Sequence, residues 1–483
     1  MNVPMASPSK RLVKLYDRSP LVVQDVLSSA FGVWKWLDER GPAFRRIFRQ
    51  LHKSQWWSHE QLGDLQIRRL RDMLRFAQEH VPFYRKRFAE YGVSWDQVQS
   101  VEDLKRFPIL TKEDVRKNRF ELLADVKPKS ELIRQSTSGT TGSPLEVLMT
   151  RQTYLTEKAW IQRHRTWGGY DNRFWRATFG GYKVVPIEQD KPPFWRFNYP
   201  WKQIHFSTFH MSENNLRHYV EALRSNNIRF LDGYPSTLHI MARYLVSVGQ
   251  TIPMRAVFTG AEPLYDLQRE TIESAFSCKV FDYYGLTEKV ISAGECDHHS
   301  GLHVSMEHVV VEILSPQDGR VGENGAVGEL VGTSLVNTAM PLIRYRTGDI
   351  AYPSPQRCSC GRGLEMIGPV KTKVEDIVIC ADGRHISASN LTYPFKPIHS
   401  IDESQIVQES LTDVVVRIVR GPDYTDDDEK RLLDGLRERL GPATRIRAEY
   451  VDEIERTSTG KFRFVVSNVS SNLIRQSQEN QTG

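Results

Sequence analysis

Hydrophobic and polar residues alternate with two different periods along the chain. Between residues 57 and 92, apolar residues recur at helical spacing and the pattern is interrupted at Pro82, which predicts packed amphipathic helices. From about 130 to 350, strand-like runs such as RAVFTG, KVFDYYG and HVVVEIL alternate with helical stretches such as STLHIMARYLVSVG. This alternation is typical of an α/β fold.

The C-terminal part of the chain has a different pattern. DIVICADGRHIS predicts a hairpin around an Asp-Gly turn. It is followed by the predicted strand DVVVRIV, the helix DDDEKRLLDGLRERLG and the strand RIRAEYV. We therefore expect a large N-terminal α/β domain over residues 1–369, which begins with helices, and a small α+β domain over 370–470. We expect the polar tail, residues 471–483, to be disordered.

The overall composition is that of an ordinary globular protein. At 483 residues the chain exceeds what one hydrophobic core usually serves, and its net charge of +6 arises from 65 basic and 59 acidic residues. This mixture predicts a solvated surface and no nucleic-acid partner. The N-terminus has no signal-peptide pattern, and no apolar run approaches the roughly 20 residues of a membrane span. We therefore expect a cytoplasmic protein, without a transmembrane segment, whose five cysteines are reduced.

One predicted turn is rich in glycine and hydroxyl side chains. It lies between two strand-like runs in IRQSTSGTTGSPLEV (133–147). Its backbone N–H groups and hydroxyls suit phosphate oxygens, and the residues concerned are Ser136, Thr137, Ser138, Gly139, Thr140, Thr141 and Gly142. A Walker loop would have a lysine after the last glycine, where Ser143 and Pro144 stand. Phosphate binding would therefore need positive charge from elsewhere in the chain, and a solvated hairpin turn is the alternative.

Five short segments occur in a characteristic order. They are STSGTTGSP (136–144), TGAEP (259–263), YGLTE (284–288), YRTGD (345–349) and RTSTGK (456–461). Their order and spacing resemble the adenylate-forming (AMP-binding) enzymes. HVPFYRKRF, LKRFPILTKEDVRKN and CSCGRG are similar to the phenylacetate–CoA ligase branch, and within it to relatives from capsular-polysaccharide biosynthesis. The resemblance covers residues 55 to 468 and implies a large multi-sheet domain with a small mobile C-terminal lid domain.

The resemblance implies a reaction and a set of site residues. The reaction is ATP-dependent activation of a carboxylic acid as an acyl-adenylate, followed by transfer to coenzyme A or another nucleophile. Glu288 would hold Mg²⁺, and Lys461 would be the catalytic lysine that reaches the α-phosphate and the acyl oxygens. Further contacts with the nucleotide and the acid are implied for Gly260, Ala261, Glu262, Tyr283, Tyr284, Gly285, Thr287 and Asp349. At the hinge, Lys373 stands where the family usually has arginine, which keeps the charge but loses the planar fork.

Cysteine and histidine are concentrated in two segments, CDHHSGLH (296–303) and CSCGR (358–362). Cys296, His303, Cys358 and Cys360 would form a closed tetrahedral zinc site of the structural type. His298 or His299 could take the place of His303, and reduced thiols in loops are the alternative to a metal site. We expect the other two cysteines, Cys278 and Cys380, to be buried as small hydrophobic residues.

The sequence leaves the acid and the final acceptor open. We expect the acid near Thr208–Phe209–His210, the DGYPSTL segment (232–238) and Tyr283. Five of the ten tryptophans lie between 160 and 201, and core packing is favoured over an acyl- or sugar-binding wall or a membrane-facing patch. The acceptor is coenzyme A, an amine or a glycan hydroxyl. A non-catalytic nucleotide-binding or assembly protein of a polysaccharide pathway is the second function class, and the presence of both Glu288 and Lys461 favours the enzyme.

Overall fold

The computed structural model describes most of the chain. The described residues are 16, 19–125, 129–136, 145–180, 184–186, 189–208, 210–211, 213–315, 327–354, 357–373, 378–381, 385–386, 391, 393–395, 398, 400–455 and 463–469. Residues 137–142 of the predicted phosphate loop lie outside them, as do Phe209 and Lys461. Lys373 is described only as the last residue of a strand.

Ten α-helices lie in the described residues. They are α1 (Leu21–Glu39), α2 (Pro42–Ser54), α3 (His59–His80), α4 (Pro82–Tyr91), α5 (Lys112–Lys117), α6 (Arg151–Trp167), α7 (Glu213–Ser225), α8 (Pro235–Ser247), α9 (Asp266–Phe276) and α10 (Asp426–Leu440). Short 3-10 helices cover Trp95–Gln97, Val101–Arg106, Lys129–Glu131, Tyr199–Trp201 and Tyr393–Phe395.

The helical pattern between 57 and 92 is confirmed, and the sequence explains where each helix begins and ends. Ser58 caps α3, because its hydroxyl accepts a hydrogen bond from the Gln61 amide at 3.1 Å while the Gln61 side chain accepts one from the Ser58 amide at 3.0 Å. Helix α3 ends before Pro82, since the residue preceding a proline disfavours helical geometry. Pro82 is then well suited to the first turn of α4, and Gly92, with φ 61°, terminates that helix.

A large mixed sheet forms the framework of the described chain before residue 374. Twelve of its described strands pair in the order β11-β12-β13-β14-β10-β9-β8-β7-β6-β3-β5-β4. Their bounds are β3 (Arg176–Gly180), β4 (Trp195–Asn198), β5 (Gln203–Ser207), β6 (Phe230–Gly233), β7 (Ala256–Gly260), β8 (Val280–Gly285), β9 (Ser292–Glu295), β10 (Leu302–Val304), β11 (Val309–Leu314), β12 (Gly328–Ser334), β13 (Tyr345–Pro353) and β14 (Met366–Lys373). The two strand-like runs on either side of the Gly/Ser/Thr segment form a separate antiparallel pair, β1 (Ile133–Ser136) and β2 (Glu146–Met149), as predicted.

The parallel part of the large sheet is built from βαβ units. Strand β3 pairs in parallel with β5 and β6, and β6, β7 and β8 follow one another in parallel register. Helix α8 connects β6 to β7, and α9 connects β7 to β8. The core is aromatic and aliphatic, with Phe179, Phe206, Leu231, Met241 and Val257 all fully buried. The predicted α/β alternation between 130 and 350 is therefore confirmed.

The chain divides into two compact units. One comprises Met1–Leu264, Gln268–Thr347 and Tyr352–Pro369, and the other comprises Tyr265–Leu267, Gly348–Ala351 and Val370–Gly483. The second unit has a sheet in the order β19-β18-β17-β20, with bounds β17 (Ile401–Gln408), β18 (Asp413–Arg420), β19 (Arg445–Tyr450) and β20 (Val465–Ser467). The predicted hairpin is present as β15 (Val378–Ile379) paired with β16 (His385–Ile386).

Helix α10 closes the hydrophobic core of the second unit. Leu432 and Leu436 of this helix are fully buried against Val416 and Ile418 of β18. Thr425 caps the helix through the amide of Asp428, and the acidic residues of its first turn complement the helix dipole. None of the helices in the described part of the chain combines the length and the apolar character that crossing a bilayer requires.

Candidate functional site

Three neighbouring parallel strands end with the predicted site residues at one edge of the large sheet. Strand β6 ends at Gly233, β7 at Gly260 and β8 at Gly285. Because these strands run in parallel, their carboxyl ends meet at the same edge. In open α/β sheets, ligands bind in crevices at such carboxyl edges.

The end of β7 has a backbone that excludes most side chains. A Cβ atom on Gly260 would lie 2.8 Å from two ring atoms of Tyr283, so glycine allows this close approach. Ala261 follows with φ 68°, a left-handed conformation that is uncommon outside glycine. The carboxylate of Glu262 accepts a hydrogen bond from the Ser236 amide at 3.3 Å, which ties the end of β7 to the first turn of α8.

Tyr283 lies against buried aromatic rings. Its ring packs edge-on against Trp160 at 5.8 Å and His164 at 5.6 Å, both from α6. Burial raises the pKa of the Tyr283 hydroxyl, and the charge of Asp232 adds to this. Asp232, near the end of β6, forms an ion pair with Arg165 of α6. The predicted acid region is therefore lined by one neutral hydroxyl and one neutralised carboxylate.

The turn between β8 and β9 carries Thr287 and Glu288. Gly285 and Ser292 are paired across the two strands, so the intervening residues form a tight connection at the same sheet edge. Glu288 is only 6% exposed, and its Oε1 accepts a hydrogen bond from the Tyr345 hydroxyl at 3.0 Å. The carboxylate is therefore held in place by a residue that lies 57 positions away in the chain.

Glu157 of α6 stabilises the same turn from the other side. Its Oε1 lies 3.5 Å from Lys289 Nζ, and its Oε2 accepts a hydrogen bond from the Ser292 hydroxyl at 3.1 Å. Lys289 has φ 58°, which the turn imposes. The sequence analysis missed Glu157, because nothing in the helical pattern of α6 separates it from an ordinary surface glutamate.

A buried arginine fixes the start of β13. Two nitrogens of Arg344 bind the two carboxylate oxygens of Glu312, at 3.0 and 2.8 Å. This bidentate geometry is rigid, and it places the next residue, Tyr345, against Glu288. Asp349 lies further along β13 and is 2% exposed. It belongs to the segment Gly348–Ala351, which groups with the second compact unit.

The remaining residues of the predicted acid region are only partly described. Thr208 and His210 follow the end of β5, and His210 Nδ1 lies 2.7 Å from the Ser207 hydroxyl. The His210 ring stacks on Phe194 with a centroid distance of 5.0 Å.

The core-packing interpretation of the tryptophans is confirmed for Trp160 and Trp167, which are buried, and for Trp175 and Trp195, which pack against the core.

The four predicted zinc ligands lie together. The ligand atoms of Cys296, His303, Cys358 and Cys360 are all within 4.8 Å of one another. Cys296 Sγ lies 3.6 Å from Cys358 Sγ, and Cys360 Sγ lies 3.5 Å from His303 Nε2. With Zn–S bonds of about 2.3 Å and Zn–N bonds of about 2.0 Å, the edges of a tetrahedral site are roughly 3.5–3.8 Å long. The donor set and its spacing therefore fit a tetrahedral zinc ion.

The fold supplies these four ligands from two places. Cys296 follows β9 and His303 lies in β10, which pairs with both β9 and β14, while Cys358 and Cys360 precede β14. The two alternative histidines face other partners, since His298 Nδ1 lies 3.0 Å from the Ser359 hydroxyl and His299 Nδ1 lies 3.4 Å from the Glu295 carboxylate.

Two further carboxylates of this region escaped the sequence analysis. Asp282 and Glu295 lie on β8 and β9, and the Asp282 amide donates to Glu295 Oε2 at 2.9 Å. Burial raises the pKa of Asp282, and the charge of Glu295 raises it further. Burial also opposes the ionisation of Glu295, but hydrogen bonding to His299 and the charge of Arg269 lower its pKa. Burial and the charge of Glu295 thus both favour the protonated form of Asp282.

The chain is similar to CapK and to phenylacetate-coenzyme A ligases. The CapK C-terminal domain family matches residues 378–468. The protein CapK of Staphylococcus aureus is 27% identical over 472 residues, which are 94% of this chain and 99% of the relative. A phenylacetate-coenzyme A ligase of Pseudomonas putida is 30% identical over 338 residues, covering 67% of this chain and 73% of that ligase.

A solved structure shares the fold. The 2-hydroxyisobutyryl-CoA ligase, crystallised in the postadenylation state with R3-HIB-AMP, superposes with a TM-score of 0.68 at 20% identity. The similarity covers 88% of this chain and 94% of that ligase. At this level of identity the similarity concerns the fold, and it confirms the predicted fold class.

Proposed function

Because this chain belongs to the phenylacetate–CoA ligase family of adenylate-forming ligases, we propose that it activates a carboxylic acid with ATP and releases pyrophosphate. The acid oxygen attacks the α-phosphorus of ATP, the bond from that phosphorus to the bridging oxygen breaks, and pyrophosphate leaves. The observation that best supports this is the buried Glu288, which Tyr345 holds at the carboxyl edge of the parallel strands. The acyl-adenylate then passes its acyl group to a nucleophile.

The site residues have distinct roles in this proposal. Tyr284 stacks on adenine, with the backbone of Gly260, Ala261 and Glu262 beside it. Thr287 faces the phosphates, and Asp349 accepts hydrogen bonds from the ribose hydroxyls, for which a carboxylate is suited. The Gly/Ser/Thr turn binds phosphate oxygens through its amides and hydroxyls. Lys461 supplies the positive charge that this turn lacks.

Two metals fit the described residues. Glu288 has the hard oxygen donor that Mg²⁺ prefers, and its burial keeps it oriented. Mg²⁺ would neutralise part of the charge that the acid must approach. The Cys₃His cluster suits zinc in a closed, structural site. Burial raises the pKa of the Cys296 thiol, and a zinc ion would offset this by stabilising the thiolate.

The proposal also covers where the acid binds and which molecule accepts the acyl group. The region between Thr208, the 232–238 segment and Tyr283 is proposed to hold the acid, and its ion pair between Arg165 and Asp232 shapes one wall. Coenzyme A is the acceptor that the family favours, while an amine or a glycan hydroxyl remains the alternative. Lys373 is proposed to take the place of the family's hinge arginine, where it keeps the charge but not the planar fork.

The test is acid-dependent exchange of pyrophosphate into ATP across a panel of aryl, fatty and sugar acids, with the nucleotide product identified. We expect acyl-adenylate and pyrophosphate with one class of acid only, and AMP once a nucleophile takes the acyl group and AMP leaves. Glu288→Gln should lose the exchange, whereas the matched surface variant Glu60→Gln should retain it. ADP and phosphate as products would contradict adenylation. Absence of exchange with every acid, together with tight ATP binding, would favour a non-catalytic nucleotide-binding protein.

A further inference from the structure

The first described helix presents an entirely apolar face to solvent. Every residue of α1 that is exposed is hydrophobic, and the most exposed are Val22, Val26, Phe31 and Leu37, at 52% to 74%. Val22, Val26, Val33 and Leu37 are spaced by four, seven and four residues, so they form one stripe along the helix. A surface helix usually has the opposite arrangement, with its apolar side turned to the core.

The polar side of α1 is turned toward the protein and contacts it at both ends of the helix. Gln24 Oε1 accepts a hydrogen bond from Arg196 Nε at 2.7 Å, and Asp25 Oδ1 accepts one from the Phe197 amide at 2.9 Å. Near the helix end, Asp38 forms an ion pair of 2.6 Å with Arg151. These contacts orient the helix, because rotating it to bury the apolar stripe would leave these polar partners unpaired.

The middle of the helix is also closely fitted. Trp201 Nε1 donates to the Gly32 carbonyl at 2.9 Å, and a side chain at Gly32 would collide with Asn198. The outward apolar face is therefore a built feature of the fold. It is about 28 Å long, since a helix rises about 1.5 Å per residue.

The chain segments before and after α1 are basic. Residues 40–58 contain Arg40, Arg45, Arg46, Arg49 and Lys53 and no acidic residue. Arg45, Arg46, Arg49 and Lys53 are exposed. The segment before α1 also carries Lys10, Arg11, Lys14 and Arg18 against the single acidic residue Asp17. The apolar stripe is thus bordered in sequence on both sides by positive charge.

An exposed apolar helix beside basic residues matches a lipid surface. Helices of this kind lie in the plane of the membrane interface, with their apolar side among the acyl chains. Trp34 and Trp36 are both exposed, and tryptophan favours the interface itself. A cavity of about 390 Å³ opens where α1 meets α2, with Trp34, Leu37, Phe44 and Leu155 in its lining. Its largely apolar wall suits part of an acyl chain.

A second copy of the chain would complement this face less well. A two-fold dimer places the same surface on both sides of the interface. It would bring two copies of the arginine-rich segment toward each other, which costs electrostatic energy, whereas anionic lipid headgroups neutralise that segment. We propose that α1 docks on an anionic bilayer, with Val22, Val26, Val33 and Leu37 inserted and Arg45, Arg46 and Arg49 at the headgroups.

The experiment is flotation of the full chain with vesicles of phosphatidylcholine alone and with vesicles that contain about one third phosphatidylglycerol. We expect binding to the anionic vesicles that weakens as salt rises. The triple variant Val22→Ser/Val26→Ser/Leu37→Ser should bind at least about tenfold more weakly, because it removes inserted apolar surface. Arg45→Gln/Arg46→Gln/Arg49→Gln should weaken binding to anionic vesicles by roughly 100-fold.

The matched control is Tyr91→Ser/Phe120→Ser/Val246→Ser, which removes three similarly exposed hydrophobic side chains elsewhere. It should bind vesicles like the wild type. Both apolar variants should retain the wild-type circular dichroism and unfolding midpoint, because the altered residues are exposed. Failure of the wild type to bind anionic vesicles would overturn the proposal. A wild-type dimer in light scattering that the α1 variant converts to a monomer, without vesicle binding, would assign the face to a second copy.

Discussion

The hydroxyl of Tyr345 donates a 3.0 Å hydrogen bond to Oε1 of Glu288, and both side chains are almost completely buried. This contact joins two of the motifs found in the sequence, YGLTE and YRTGD. It depends on Arg344, whose bidentate pairing with Glu312 fixes the start of β13. Tyr345 is therefore a positioning residue for Glu288, the carboxylate proposed to hold Mg²⁺.

Glu288→Gln should lower acid-dependent pyrophosphate exchange by about 10²–10³. The amide keeps the size of the side chain and accepts the Tyr345 hydrogen bond, but it removes the charge that is proposed to hold Mg²⁺. The rate should therefore become dependent on higher Mg²⁺ concentrations. Measuring exchange against Mg²⁺ concentration checks this, and an unchanged Mg²⁺ dependence would remove Glu288 from metal binding.

Tyr345→Phe should have a smaller effect, about tenfold, because it removes one hydrogen bond to a charged group. The same Mg²⁺ titration should shift in the same direction as for Glu288→Gln. The double variant should be no worse than Glu288→Gln alone, since the two residues act through one carboxylate. Additive losses would mean that Tyr345 acts independently.

Cys358→Ser should remove zinc and lower the stability of the protein more than it changes the chemistry. The wild type should contain about one zinc per chain, because the four donors fit a closed tetrahedral site. Loss of the metal should lower the free energy of unfolding by at least about 3 kcal/mol. Elemental analysis and thermal unfolding check both parts, with Cys278→Ser as the control outside the cluster. Wild-type protein prepared without chelator but free of zinc would contradict the assignment.

Sequence patterns predicted those features that depend on local chemistry. The helix break at Pro82, the βαβ alternation and the pairing of β15 with β16 all follow from proline, glycine and the spacing of apolar residues. The Cys/His cluster was predictable because only a few residue types bind zinc. The family motifs, which occur in order along the chain, pointed to Glu288, whose role as a metal ligand stays a prediction.

Contacts between residues that are far apart in the chain leave no local pattern in the sequence. The Tyr345–Glu288 contact arises from the sheet order, which brings β13 and the β8–β9 turn together. The apolar stripe of α1 is equally hard to orient from sequence, because its spacing is that of a helix packed on a core. Its outward direction is decided by Arg196 and the Phe197 amide, which bind Gln24 and Asp25 from more than 170 residues away.

Acid should destabilise the protein partly through His308. This side chain is 2% exposed, and burial lowers its pKa to about 4, although the carboxylates of Glu307 and Glu157 act in the opposite direction. Its folded pKa lies below the unfolded value near 6.5, so its stabilising contribution is complete above pH 6.5 and is lost as the pH falls toward 4. Between pH 7 and pH 5 this amounts to about 2 kcal/mol.

His308→Gln should therefore flatten the dependence of unfolding free energy on pH over this range. Glutamine retains a group that can bond to the Ser305 hydroxyl, which lies 3.0 Å from His308 Nδ1. Denaturant unfolding at pH 7 and pH 5 measures the difference. The exposed His52, replaced by glutamine, is the control and should leave the slope unchanged. An equal slope in wild type and His308→Gln would show that this histidine is not the group that titrates.

Lys461→Ala should nearly abolish adenylate formation while ATP binding persists. The lysine is proposed to provide charge at the reacting oxygens, and deleting one such group costs about 10²–10³ in rate. The adenine and Mg²⁺ contacts proposed for Tyr284 and Glu288 do not depend on it. If the acyl group is transferred after Lys461 has left the phosphates, the variant should use chemically prepared acyl-adenylate at a near-normal rate. Measuring the two half-reactions separately, with the exposed Lys430→Ala as control, distinguishes the outcomes. Wild-type adenylation would exclude Lys461 from the mechanism, and equal losses in both halves would indicate a folding defect.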